Sequence, residues 1–347
     1  MRALTIDAHG GLDALRYRED LPSPALPPTG QVRVRLRAAA LNHLDLFVLG
    51  GIPGVTITPG WVLGADGMGV VAEVSPDVTA VAVGDRVLIN PGIACRDCEF
   101  CRAGEHSLCV RYRLLGEHRP GTFADEVIVP ATNVLRCPPT LSDEAAAAFT
   151  LATLTAWRMC VTRAQVRRGD EVLIWGIGGG VALAALQICK ARGARVWVTS
   201  SSPAKLAQAA ALGADEVIDH AADDVGRLVR TRTGKRGVDV VIDSVGERTW
   251  EQSLGALARG GRLVTCGGTS GPNLAMDVRR LFWNQWSILG STMGNDAEFD
   301  AIVAEAAAGR LIPPVDAVYP LAEGREAFAR LARGAQCGKV VLRIGDG

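Results

Sequence analysis

Four cysteines fall within fifteen residues, Cys95, Cys98, Cys101 and Cys109 in the run CRDCEFCRAGEHSLC. Their C-x2-C-x2-C-x7-C spacing constrains this chain more than any other feature. Soft thiolates packed this tightly select zinc or an iron–sulfur cluster. Four thiolates satisfy tetrahedral Zn²⁺ and leave no open position for a substrate. A zinc here is therefore expected to be structural, tying down a loop. The other five cysteines, Cys137, Cys160, Cys189, Cys266 and Cys337, are scattered and odd in number. Beside a thiolate metal site, that pattern reads as a reducing compartment.

The rest of the composition narrows the class. Lys+Arg and Asp+Glu both number 37 in 347 residues, which argues against general nucleic-acid or anionic-membrane binding. The start MRALTIDAHG has no basic segment followed by an apolar core, so no secretory signal is expected. The most apolar stretch, 145–157, is short and carries three threonines, whereas a membrane span needs about 20 apolar residues. A soluble, cytoplasmic protein is expected.

Two grammars follow one another along the chain. Up to about residue 140, short strand-like runs (32–41, 69–74, 85–90, 124–130) alternate with Gly and Pro punctuation. VRVRLR alternates strictly, so one face should be buried, with Arg33, Arg35 and Arg37 on a solvated one. From Glu171 onward, apolar strands (171–176, 194–200, 215–219, 238–246, 261–268, 287–293) alternate with helical segments such as 181–193 and 203–214. This is the pattern of a doubly wound parallel sheet buried on both faces. The last stretch holds helices over 298–310 and 322–334 and a final strand over 338–344. It lacks a sheet of its own and should return to the first domain.

The turn after the strand EVLIW reads GIGGGVA. Gly176, Gly178, Gly179 and Gly180 lie where a backbone would approach a pyrophosphate at a helix N-terminus. Val181 occupies the sixth position, so G-x-G-x-x-G is incomplete, but the strand–turn–helix context supports a dinucleotide site. The next strand ends in TSSSPAK. Where NAD-binding folds usually place a carboxylate for the ribose 2′-OH, this chain has Ser200, Ser201 and Ser202, followed by Lys205, which favours NADP(H). The serines could also cap the following helix, with Pro203 in its first turn.

These pieces, in this order, resemble the medium-chain zinc-binding dehydrogenase superfamily, which contains zinc alcohol dehydrogenases and quinone oxidoreductases. The resemblance rests on the cysteine lobe, VGDRV (83–87), TAW (155–157), the glycine turn, LGAD (212–215), GGRLV (260–264) and GKVVL (338–342), and spans essentially the whole chain. It settles zinc over iron–sulfur. It implies a GroES-like β-barrel catalytic domain (1–150 and 294–347, with the zinc lobe at 91–112) and an inserted Rossmann domain (151–293). It also implies cofactor contacts from Thr155, Val245, Gly267, Gly268 and Ser291, and assembly as a homodimer or homotetramer through the late strand 287–293.

The departures from the family are informative. The positions that hold a catalytic zinc in alcohol dehydrogenases read Asn42, Ala65 and Leu151, with Asp66 for the neighbouring glutamate. The proton-relay positions read Leu44 and Phe47. The N-x-x-D run Asn42–Asp45 instead resembles quinone oxidoreductases and related enone reductases. These move hydride from NADPH to a quinone or activated C=C without metal. In that reading Asn42 bonds the nicotinamide ribose or a substrate oxygen, Asp45 braces the cleft, and His43 and Asp66 are candidate proton donors or orienters. The alternatives are an alcohol dehydrogenase with a metal site rearranged around His43 and Asp66, and a non-enzymatic NADPH- or RNA-binding role. The substrate in the leading reading is a small molecule.

Overall fold

The computed structural model describes residues 1–25 and 29–345. The chain divides into two compact units, residues 1–152 with 294–347, and residues 153–293. The boundary falls two residues later than the family resemblance implies, inside the helix Thr150–Trp157.

In the first unit, the strand Gln31–Ala40 is the hub. It pairs antiparallel with Asp66–Val74, Glu126–Pro130 and Lys339–Arg343. Its alternating sequence works as expected: Val32, Val34 and Leu36 are buried, while Arg35 and Arg37 are exposed. Arg33 and Arg37 are engaged with acidic neighbours, Arg33 with Glu73 and Arg37 with Asp143, as a solvated strand face would be. The chain from Gly294 returns to this unit and contributes two strands, not one. Val315–Pro320 pairs parallel with Lys339–Arg343. The first of these was not anticipated, because VDAVYP is only partly buried and lacks alternation.

The second unit is a six-stranded parallel sheet. Its order is Glu216–Asp219, Arg195–Ser200, Glu171–Ile174, Val238–Asp243, Leu257–Thr265, Ser287–Gly290. The order reverses at Glu171–Ile174, so a crevice opens beyond the carboxyl ends of that strand and Val238–Asp243. Val172, Leu173, Ile174, Val196, Trp197, Val198, Val240 and Val241 are fully buried, as expected of a sheet covered on both faces. Among the described residues, no helix is long and apolar enough to cross a membrane.

Candidate functional site

The cysteine lobe is built on the pair of short strands Gly92–Ile93 and Arg113–Leu114. The four sulfurs lie within 4.8 Å of one another, and Cys95 Sγ is 3.8 Å from Cys101 Sγ. A tetrahedron with Zn–S bonds of ~2.3 Å has edges of ~3.8 Å, so the donor set fits zinc. Backbone N–H groups of Cys95 and Arg111 donate to Cys109 Sγ at 3.2 and 3.3 Å, which orients that ligand. The amides of Cys101 and Val110 lower the Cys98 thiol to about 6, whereas burial and neighbouring thiols raise Cys101 to about 12. Four thiols this close cannot all ionise without a counter-charge, and a dication supplies it.

In the parallel-sheet unit, the expected dinucleotide residues gather at the strand ends. Gly179 caps the helix Gly180–Ala191, which carries Val181 in its first turn. Gly178 has φ +128, and a Cβ there would stand 2.8 Å from Cδ of Lys205, so only glycine lets the lysine stem lie across the turn. Val245 packs against Gly176. Gly267 and Gly268 follow the strand Leu257–Thr265, and Ser291 N–H donates to Thr265 O at 2.9 Å. The Ser291 hydroxyl is buried without a protein partner, an orphan a bound nicotinamide cofactor could satisfy. Thr155 is buried, with its hydroxyl 3.8 Å from Met293 Sδ. Ser202 caps the helix Pro203–Ala211 without a side-chain bond, and Ser200 Oγ instead accepts from Ser202 N–H at 3.1 Å.

In the first unit, Asn42 and Asp66 are brought together by a residue the sequence reading did not single out. Lys339 Nζ donates to Asp66 Oδ2 at 2.8 Å and to Asn42 Oδ1 at 2.5 Å, and Asn42 Nδ2 donates to Asp66 Oδ2 at 3.0 Å. Thr150 Oγ1 and the Leu151 amide both donate to Asp66 Oδ1 at 2.6 Å. The Asp66 and Lys339 side chains are 0% and 5% exposed. Asp66 thus accepts two bonds on each oxygen, which fills its capacity. Of the roles expected for Asp66, proton donor or orienter, this geometry leaves no oxygen free to carry a proton. Asp66 is a buried counter-ion.

Asn42 changes role as well. Both of its Nδ2 hydrogens are directed inward, to Asp66 and to Ala40 O. Oδ1 accepts from Lys339 and, in the helix cap, from the Asp45 amide, so Asn42 has neither a donor for a substrate oxygen nor a spare lone pair for a ribose hydroxyl. Asp45 does not brace a cleft. It accepts from the Asn42 amide at 2.7 Å at the start of the helix His43–Gly50, a reciprocal helix cap. His43 stays exposed and its ring makes no hydrogen bond among the described residues. Although its surface is open, the protein packed around it and the Lys339 charge hold its imidazole below the ordinary value. Phe47 shares its helix face, one turn on, and is 43% exposed.

Comparison with known proteins decides the family. The alcohol dehydrogenase GroES-like domain matches residues 28–139, and the zinc-binding dehydrogenase domain matches residues 180–308. The chain belongs to the medium-chain zinc-binding dehydrogenase superfamily. The chain is 33% identical to a zinc-type alcohol dehydrogenase-like protein of Schizosaccharomyces pombe, over 99% of both chains. It is 31% identical to an acryloyl-coenzyme A reductase of Metallosphaera sedula, also over 99% of both. Among solved structures, an NAD-dependent alcohol dehydrogenase superposes with a TM-score of 0.94 at 45% identity, covering 99% of this chain and 100% of the other. AibC superposes with a TM-score of 0.90 at 33% identity, covering 100% and 96%.

The four cysteines are the only cluster of three or more His, Cys, Asp or Glu ligands among the described residues. Neither His43 nor Asp66 belongs to such a cluster. Lys339 escaped the sequence reading because a lysine in a terminal strand reads as surface, and its partner lies 273 residues away. The one available signal was its position at the head of the otherwise apolar run KVVL.

Burial raises Asp45 from 3.8 to about 7, against the opposing pull of the Asn42 amide and the Lys339 charge. The folded state therefore holds an extra proton between those values, and the stability tied to it is lost as pH rises from about 4 to 7. Asp45→Asn keeps an acceptor for the Asn42 amide but cannot ionise. It is expected to match the wild type near pH 4 and to be the more stable of the two at pH 8, by up to ~4 kcal/mol. Urea unfolding across this range checks it; a difference that does not vary with pH would contradict the assignment.

Proposed function

We propose that the protein is an NADP(H)-dependent oxidoreductase that transfers hydride to a quinone or to an activated C=C bond of an enal or enone, without catalytic metal. The observation that carries this reading is the saturation of Asp66. The family's three zinc-ligand positions are Asn42, Ala65 and Leu151, and the remaining carboxylate is neutralised by Lys339 at 2.8 Å. That donor set suits no catalytic zinc. A conjugated acceptor spreads the arriving charge, so hydrogen bonds and a proton source suffice. NADPH supplies the hydride. The buried Lys339 ammonium contributes fixed positive charge, and the exposed His43 passes a solvent proton to the carbanionic product.

Ser200, Ser201 and Lys205, with no carboxylate at the strand end, support NADP(H). A second reading, an NAD-dependent alcohol dehydrogenase, is favoured by the names of the relatives. One experiment separates the two: rates with a naphthoquinone, an enal, an enone and benzyl alcohol, with each cofactor, before and after chelation. Reduction of the quinone, enal or enone with NADPH, insensitive to chelator, is expected. Chelator-sensitive alcohol oxidation would overturn the proposal. Ser200→Asp should reverse cofactor preference by tenfold or more, about 1.4 kcal/mol; equal affinity of the natural protein for both cofactors would contradict the NADP(H) assignment.

The partners we infer are a small-molecule substrate and further copies of this chain, not nucleic acid or membrane, and the compartment we infer is the cytoplasm. Among the described residues, the strand Ser287–Gly290 has a neighbour on one side only. The preceding helix Val278–Asn284 exposes Val278, Phe282 and Trp283 at 63%, 63% and 69%. An open edge beside apolar side chains is a liability that pairing removes, which supports a symmetric dimer or a dimer of dimers. A monomer by light scattering at micromolar concentration would refute it.

A further inference from the structure

His220 has no role so far, yet it stands at the strand end beside the serines. The strands Arg195–Ser200 and Glu216–Asp219 pair in register, Ser200 opposite Asp219, and the His220 amide donates to Ser200 O at 3.2 Å. That register puts His220 alongside Ser201, at the ~4.8 Å spacing of neighbouring strands. Its ring packs against Trp175, the last residue before the glycine turn, with centroids 6.0 Å apart. Nδ1 lies 3.3 Å from Thr199 Oγ1, and that hydroxyl accepts from the Gly176 amide at 3.2 Å. With one lone pair given to Gly176, the Thr199 hydroxyl keeps a hydrogen to give to Nδ1 and a second lone pair to accept from it. In the tautomer in which Thr199 donates, Nδ1 accepts and Nε2 carries the proton. Nε2 has no partner among the described residues.

Resting on the NADP(H) reading, we propose that His220 is a fourth member of the 2′-phosphate pocket, with Ser200, Ser201 and Lys205, and that it binds a proton when the phosphate arrives. The Nε2–H donates to a phosphate oxygen, and the dianion stabilises the imidazolium in place. The Thr199 hydroxyl can rotate to accept from the protonated Nδ1. The charged groups facing the ring are Asp219 on its own strand, which favours the proton, and Arg248 beyond the strand Val238–Asp243, which opposes it; Trp175 is uncharged. Desolvation is the larger influence and, with Arg248, holds the imidazole below its ordinary value, which leaves room for uptake when the phosphate arrives. The phosphate contributes with the opposite sign. Its second ionisation lies near 6, so capture of the dianion alone would release protons.

The test is calorimetric titration of the intact protein with NADPH and with NADH at pH 7.0, in two buffers of different ionisation enthalpy. NADPH binding is expected to take up a substantial fraction of a proton per site, and NADH binding none. His220→Gln should abolish the uptake and weaken NADPH about tenfold, or ~1.4 kcal/mol, while leaving NADH within about twofold, which also shows that the variant is folded. If the wild type prefers NADPH but His220→Gln changes neither the affinity nor the proton count, the role of His220 is overturned while the cofactor reading stands. If the wild type does not prefer NADPH, the cofactor reading fails and the proposal falls with it.

Discussion

Replacing Lys339 with methionine is expected to destabilise the protein by about 3–5 kcal/mol, the cost of leaving a buried charge unpaired. Asp66 is fully buried, and Lys339 is its only cationic partner among the described residues. Asp66→Asn alone strands the ammonium instead and should cost a comparable amount. The double variant Lys339→Met with Asp66→Asn removes both charges. It should recover most of the loss, because Thr150 Oγ1 and the Leu151 amide keep an acceptor at residue 66. Denaturant unfolding of the three variants measures this directly. A single-variant loss below about 1 kcal/mol, in the range of exposed pairs, would mean that the pair is not the buried ion pair described.

The second large effect belongs to the zinc lobe. Cys101→Ser should reduce bound zinc from one per chain to none and open residues 91–112 to proteolysis. Metal binding at a thiolate site is folding free energy, with apparent values of about 10–16 kcal/mol where the whole fold depends on it. Here the lobe is anchored by the strands Gly92–Ile93 and Arg113–Leu114 and by the ion pair between Arg96 and Asp296, so part of its order survives. A loss of about 3–5 kcal/mol, or ~10 °C in Tm, is expected. Metal analysis and a melting curve with and without chelator check it. Full stability with no zinc bound would contradict a structural role.

What could be read from the sequence was what is local. The four cysteines lie in one short run, the glycine turn spans a few residues between a strand and a helix, and each parallel strand declares itself by a run of Val, Leu and Ile. Pairing across long separations was not legible. Asn42 and Asp66 could be placed by family resemblance, but their chemistry depends on Lys339, and no periodicity points from one end of the chain to the other. Asp45 was misread for a related reason. N-x-x-D is the spacing of a cleft pair in the resembling reductases and equally that of a helix cap, and only the 2.7 Å bond from the Asn42 amide separates the two. His220 was hidden because a lone histidine after a strand carries no signal until the sheet register sets it beside Ser201.

The two units also differ in when they can be completed. The parallel-sheet unit is contiguous, residues 153–293, whereas the other is split around it. A ribosome adding about 5–20 residues per second makes Asp66 roughly 15–55 s before it makes Lys339, 273 positions later. Through that interval the first unit lacks both the strand that joins Gln31–Ala40 to Val315–Pro320 and the cation that neutralises the buried Asp66. The inserted unit can fold meanwhile. Lys339 therefore acts as a checkpoint: before it is made, the parallel-sheet unit can be finished but the split unit cannot.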